Sequence, residues 1–174
     1  MNREPDEHES ELTPTPAGLP LWHPATLIAS WFGSGLLPVV PGTWGSAAAL
    51  PFAWAIADFL HPLALGAAAL PLFCVGWWAA EIAVSRSGDN DPGFIVVDEV
   101  VGQWLTLALV PPDVVLYAAG FVLFRITDVT KPGVIGWAER RMRGGLGVML
   151  DDVLAAVHAA PLVWLLAWAI EAQR

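Results

Sequence analysis

The chain has little that can cross-link it and little charge. Its one cysteine, Cys74, excludes an internal disulfide; lying in an apolar run, it reads as a small buried hydrophobe. Only 14% of the 174 residues are charged against 56% hydrophobic, and the mean hydropathy is +0.57. That is membrane composition rather than ordinary soluble-domain composition. No basic n-region precedes the apolar segments, so they are expected to be permanent structure rather than a cleaved leader. No internal repeat is visible. Three phosphate motifs are also missing. No GxxxxGK[ST] occurs, GSGLLP lacks the third glycine of a dinucleotide fingerprint, and a Cys-x5-Arg loop starting at Cys74 would need an arginine where Ala80 stands.

What charge there is lies unevenly. The formal net charge is −9, but Glu4, Asp6, Glu7, Glu9 and Glu11 supply five acids within a Pro-containing, apolar-poor start. Residues 1–20 are therefore expected to be a disordered acidic tail. Residues 21–174 are long enough for one compact domain and too short for two. Nothing in them indicates a nucleic acid or a particular protein as partner.

The expected fold class is all-α, a multi-pass membrane helical bundle with polar loops and helix ends forming a site on one face. Residues 44–60 and 63–85 are each apolar enough to cross a bilayer, for which about 20 residues suffice. His61-Pro62 between them reads as a tight turn. The run from Val100 to Phe124 is broken by Pro111-Pro112-Asp113 into two pieces of roughly 11 residues, too short to span singly. If the prolines mark a turn, the pieces return to one side and bring the charges before and after them together; if they only kink one span, those charges lie a membrane apart. A last apolar segment covers Val153–Ile170 after Asp151-Asp152.

The remaining polar sequence falls into four blocks at ends of apolar helices: GSGLLPVVPGTWGS (33–46), DNDPGFIVVDE (89–99), FRITDVTKPG (124–133) and RRMRGGLGVMLDD (140–152). With the turn reading, up-and-down connectivity puts all four on one face. Each has a bland explanation. Asp151 or Asp152 serves as a helix N-cap, Asp98 and Glu99 favour a helix first turn, Arg125 and Lys131 snorkel, and Arg140, Arg141 and Arg143 signal topology. Taken together, five carboxylates (Asp98, Glu99, Asp128, Asp151, Asp152) converge where the dielectric is low. Unit charges about 4 Å apart repel by about 4 kcal/mol at intermediate dielectric. A hard divalent cation reverses that sign, and an all-oxygen ligand set suits Mg²⁺ or Mn²⁺ rather than zinc. One lysine and a glycine-rich loop beside such an ion are parts of phosphoryl chemistry.

The four blocks, in this order and spacing, resemble the phosphatidylglycerophosphatase A family over roughly residues 26–160. Their signature is GSGLLPVVPGTWGS, then D-x6-DEVVGQ from Asp91, then FRITDVTKP, then GGLGVMLDD. The resemblance implies an Mg²⁺-dependent lipid phosphatase of the bacterial cytoplasmic membrane that removes the terminal phosphate of phosphatidylglycerophosphate, with one helix surrounded by others. It implies that Asp98, Glu99, Asp128, Asp151 and Asp152 are metal ligands or the catalytic carboxylate, with Asp91 as a further acidic participant. Lys131 and Arg125 would hold the phosphate, and Gly33, Ser34, Gly35, Gly42 and Thr43 would line a phosphate loop. Neighbouring carboxylates on a helix diverge by about 100°, so only one of Asp98 and Glu99 is expected to bind metal directly. Lys131, before Pro132, is expected to leave regular helix. Thr127 and Thr130 replace larger apolar residues common in the family. Arg86, Arg125, Lys131, Arg140, Arg141 and Arg143, six of the eight basic residues, share the site face and place it in the cytoplasm. The rival readings are an ion carrier, which would hold its acids near the bilayer midplane, and an inactive lipid-binding relative, which would have lost some of them.

Overall fold

The computed structural model describes residue 15 and residues 17–173. Among these the chain is all helical. The helices are α1 (Pro24–Ala29), α2 (Pro41–Phe59), α3 (Leu63–Ser87), α4 (Val97–Leu107), α5 (Val114–Thr130), α6 (Val134–Arg141) and α7 (Gly144–Glu171), with a short 3₁₀ turn at Ser34–Leu36. Most of the acidic tail lies outside the described residues. Ala17 and Leu19, at its end, are buried in the core, so packing begins inside the segment expected to be tail.

The expected turn at Pro111-Pro112 is present. α4 ends at Leu107, and Asp113 caps α5 by accepting from the amides of Val115 and Leu116 at 2.9 and 3.1 Å. α4 is about 16 Å long, too short to cross a bilayer. α5 is longer than its expected half, because FRITDVT continues the helix instead of leaving it. α7 likewise starts early: Gly144, Gly145 and Gly147 lie in its first turn rather than in a loop. α6, largely between the third and fourth polar blocks, is a helix with no long apolar run to announce it.

α4 is the enclosed helix, buried along nearly its whole length and packed by α2, α3, α5 and α7. The helices around it present small residues inward. On α2 these are Gly42, Gly45, Ser46, Ala49, Ala53 and Ala57; on α7 they include Ala155, Ala156, Ala159 and Ala160. Such stripes let helix axes approach closely. Indole and phenol donors pin the contact, Trp104 Nε1 to the Ala49 carbonyl at 3.2 Å and Tyr117 Oη to the Ala53 carbonyl at 3.3 Å. Thr127 Oγ1 lies 3.3 Å from the Ala155 carbonyl of α7 but has closer acceptors in its own helix, the Phe124 and Leu123 carbonyls at 2.9 and 3.0 Å.

Many large apolar side chains are outside. Phe52, Leu70, Val75, Trp77, Trp78, Trp164 and Trp168 are all exposed, and α3 and α7 are long and apolar enough to cross a membrane. Cys74 belongs to this outer surface. It is exposed rather than buried, because an apolar run on a helix of this kind does not distinguish the core face from the outward one.

Close packing around α4 makes two glycine substitutions a sharp contrast. A Cβ at Gly102 would run into the ring of Phe124, which is fully buried, and stand 3.0 Å from the Asp152 carbonyl oxygen. Gly102→Ala is expected to destabilise the protein by about 1–3 kcal/mol through overpacking. At Gly66 the same atom meets only Ala108 Cβ, at 3.8 Å, so Gly66→Ala should stabilise by about 0.5–1 kcal/mol through helix propensity. Thermal unfolding in detergent reads both; equal midpoints for the two variants contradict the packing described.

Candidate active site

A cavity of about 240 Å³ draws its walls from all four polar blocks. Val40, Pro41 and Gly42 come from the start of α2, and Asp91, Gly93 and Ile95 from the α3–α4 connection. Asp98 and Glu99 stand in the first turn of α4, Arg125, Asp128 and Lys131 at the end of α5, and Asp151 and Asp152 on α7. The cavity forms here because α4 and α5 return to one side at the proline turn, and α7 packs antiparallel to α3 with its beginning at the same end.

The position of Asp151 and Asp152 excludes a capping role. α7 begins at Gly144, with Arg143 at the N-cap, so both acids lie about two turns inside the helix. They are buried, as are Asp98 and Asp128. The long first stretch of α7 sends them inward onto α4.

The five acids divide into two kinds. Asp128 and Asp151 each have a cation: Arg125 Nη1 lies 2.6 Å from Asp128 Oδ2, and Lys131 Nζ donates to Asp151 Oδ2 at 2.7 Å. Arg125 also reaches Glu99 Oε1 at 3.5 Å. Its Nη1 contacts are close without a well-aligned N–H, and its Nε has no hydrogen-bond partner, so the guanidinium keeps donor capacity for an anion. Asp98, Glu99 and Asp152 are the other kind. One oxygen from each lies within 4.8 Å of the others, and Asp98 Oδ1, Glu99 Oε2 and Asp152 Oδ2 are buried with no hydrogen-bond partner. Contrary to the expectation of divergence, Asp98 and Glu99 therefore point at one place. The glutamate arm is one methylene longer and covers the angular gap.

Electrostatics agree with the geometry. Burial pushes the Asp98 carboxyl well above the usual carboxylate range, and the charges of Glu99 and Asp152 add to it. Burial also pushes Glu99 up, to about 7, opposed by its hydrogen bond with Asp98 and by Arg125. Desolvated like charges favour the proton when no cation replaces it. Three orphaned buried oxygens in an all-carboxylate set fit a hard divalent ion.

The glycine block divides. Gly42 lines the cavity, but as space: a Cβ there would collide with Glu99 Oε1 and lie 3.1 Å from both Arg125 terminal nitrogens. Thr43, whose amide bonds to the Val40 carbonyl at 2.9 Å, is not in the wall. Neither are Gly33, Ser34 and Gly35. Gly33 supplies a left-handed residue before the 3₁₀ turn, Ser34 Oγ donates to the Ser30 carbonyl at 3.1 Å, and Gly35 is pressed against the Phe94 carbonyl. These three shape the connection that supports the site from behind.

Two wall residues hold left-handed backbone without being glycine, Val40 at φ 47° and Lys131 at φ 43°. Lys131 leaves the helix as expected before a proline, though into the left-handed rather than the extended region. Strain of this sort costs of order 1–3 kcal/mol and collects at functional sites. The sequence reading missed Val40. It also missed Glu81, whose Oε2 accepts from the Gly145 amide at 2.8 Å and fixes the start of α7 against α3; its signal was an acid within an apolar helix.

Comparison with known proteins bears out the family resemblance. The family model described as phosphatidylglycerophosphatase A matches residues 27–167. A protein of Escherichia coli strain K12 named phosphatidylglycerophosphatase A is 44% identical over 144 residues, covering 82% of this chain and 81% of its own. A Haemophilus influenzae protein of the same name is 35% identical, covering 83% of this chain and 89% of its own. A Bacteroides thetaiotaomicron protein named putative phosphatidylinositol-3-phosphatase is 42% identical, covering 83% of this chain and 94% of its own. No solved structure gives a match. With the family model spanning most of the sequence and relatives matched along most of their length, the chain belongs to the phosphatidylglycerophosphatase A family.

Proposed function

We propose that the protein hydrolyses the terminal phosphomonoester of phosphatidylglycerophosphate, giving phosphatidylglycerol and inorganic phosphate, with Mg²⁺ held by the buried acids. The observation that carries this reading is the division inside one cavity. Three carboxylates each bring one oxygen within 4.8 Å of the others and each keep a buried oxygen without a hydrogen-bond partner, while two further carboxylates keep Arg125 and Lys131 beside them. Relatives named phosphatidylglycerophosphatase A supply the substrate.

Asp98, Glu99 and Asp152 would hold the ion. When bound, it supplies charge for the phosphoryl oxygens and makes water a better nucleophile at neutral pH. Lys131, a point charge on a flexible stem, and Arg125, a planar fork, bind and orient the phosphate. Asp128 and Asp151 keep these cations aimed into the cavity before substrate arrives. Such preorganisation matters because phosphoryl transfer asks the protein mainly for positioning and charge. The ion-carrier alternative is disfavoured by where the acids sit: in the first turn of α4 and about two turns into the 28-residue α7, toward one end of each helix rather than its middle.

The outward apolar residues and the two long helices support a bilayer around α3 and α7, with the cavity at one surface. Arg86 near the end of α3 and Arg141 and Arg143 before α7 support a cytoplasmic orientation of that surface, by the positive-inside rule. A thiol substituted for the exposed Arg141, in a Cys74→Ala background, should resist an impermeant reagent in intact cells and react after permeabilisation. Labelling in intact cells reverses the orientation.

Phosphate release from phosphatidylglycerophosphate by purified protein in lipid vesicles tests the activity. Turnover should depend on Mg²⁺ and stop in chelator. Asp98→Asn and Asp152→Asn should each lose at least about 100-fold in turnover, as loss of a metal ligand or its support does, and lose the rise in melting temperature that Mg²⁺ gives the parent by mass action. In chelator both should be as stable as the parent or more so, since each removes one of several crowded charges. Asp128→Asn and Lys131→Ala should lose activity but keep the Mg²⁺ response. Near-parental turnover and an unchanged Mg²⁺ response in the first pair would make these acids structural anchors and put the chemistry elsewhere.

A further inference from the structure

A second cavity, also of about 240 Å³, opens beside the first and shares Asp91 and Asp151 with it. Its other walls come from Asn90 before α4, and from Met142, Arg143 and Val148 where the chain enters α7. A further hollow near Ala167 and Ile170 stands at the opposite end of α7, about 28 Å from Asp151, and is too remote to take part.

The charges of the two adjoining cavities differ. In the first, both basic side chains already sit on carboxylates. In the second, Arg143 is exposed and has no ion pair or hydrogen bond of its side chain among the described residues. It is extended backbone at the N-cap of α7, at φ −126° and ψ 163°, so a short connection sets where its guanidinium begins. Asp151, shared between the cavities, has its charge met by Lys131 at 2.7 Å. Met142 and Val148 give the same space an apolar side.

We infer that the second cavity receives the phosphodiester of the lipid headgroup and that Arg143 binds it, selecting a phosphomonoester carried on a phosphatidyl group over a free one. The inference rests on the phosphatase reading of the first cavity. A phosphatidyl headgroup with a terminal phosphate holds two phosphates separated by a short alcohol. With the monoester among Lys131, Arg125 and the acids, the diester must lie in the space next to it. Its two non-bridging oxygens match the fork of an arginine, while the alcohol linker can lie along Met142 and Val148.

The test uses the full-length protein in vesicles, comparing the parent with Arg143→Ala and Arg143→Lys on phosphatidylglycerophosphate. Inorganic phosphate serves as a competitive inhibitor that has only a monoester-like group to offer. Loss of one charge-assisted contact should raise KM about tenfold in Arg143→Ala, with kcat within about twofold and the lysine variant between. The inhibition constant of inorganic phosphate should stay at the parental value. An unchanged KM overturns the inference, as does a fall in kcat at constant KM. So does a parallel rise in KM and in the phosphate inhibition constant, which would make Arg143 a ligand of the terminal phosphate. Failure of the underlying phosphatase reading is distinguishable, because then the parent itself releases no phosphate.

Discussion

Repulsion between buried carboxylates at the junction of α4 and α7 is the constraint around which the site is arranged. Asp98, Glu99 and Asp152 gather with oxygens within 4.8 Å of one another and no hydrogen-bond partner for one atom of each. Burying such charges without compensation costs several kcal/mol per group, and the raised carboxyls of Asp98 and Glu99 express that cost. A fold that retains the arrangement must have it offset elsewhere. The proposed cation offsets it directly. Arg125 and Lys131 cannot do so alone, because Asp128 and Asp151 hold them at 2.6 and 2.7 Å.

The rest of the architecture delivers those groups. α4 can be enclosed only because its neighbours offer glycine and alanine, so its first turn is held deep among α2, α5 and α7. The proline turn brings the end of α5 back beside that first turn. Glu81, accepting from the Gly145 amide, fixes the start of α7, which sets where Asp151 and Asp152 arrive two turns later. Gly42 leaves room for Glu99 and Arg125 at the start of α2. In this protein glycine and alanine make much of the helix contacts, and many large apolar residues, tryptophans among them, face outward instead of being gathered in the core.

That arrangement explains what was and was not legible in the sequence. Pro111-Pro112 carried its own signal, since proline cannot continue a helix and two short apolar pieces cannot each span a membrane. The grouping of polar blocks at helix ends followed from hydropathy and connectivity. Cys74 did not: an apolar segment shows that a helix is buried in something, without saying whether protein or lipid covers a given face. Glycine-rich GGLGVM reads as loop on propensity, yet tight contact with α3 holds it helical, as tertiary packing often does. The convergence of Asp98 with Glu99 was hidden because backbone angle predicts where a Cβ points and not where a longer carboxylate ends. The pairing of Arg125 with Asp128 lay three residues apart on one helix and was available in principle. The separation of Gly33, Ser34 and Gly35 from Gly42 was not, since it depends on the left-handed turns at Gly33 and Val40.

Equilibrium binding of Mn²⁺, followed by the loss of free-ion paramagnetic signal on adding purified protein, tests the central claim most directly because it needs neither substrate nor turnover. Saturable binding by the parent is expected, weakened at least about tenfold in Asp98→Asn and in Asp152→Asn, and unaltered in Asp113→Asn, whose half-buried acid caps α5 at the far end of the bundle. Equal Mn²⁺ affinity in all four proteins would contradict it.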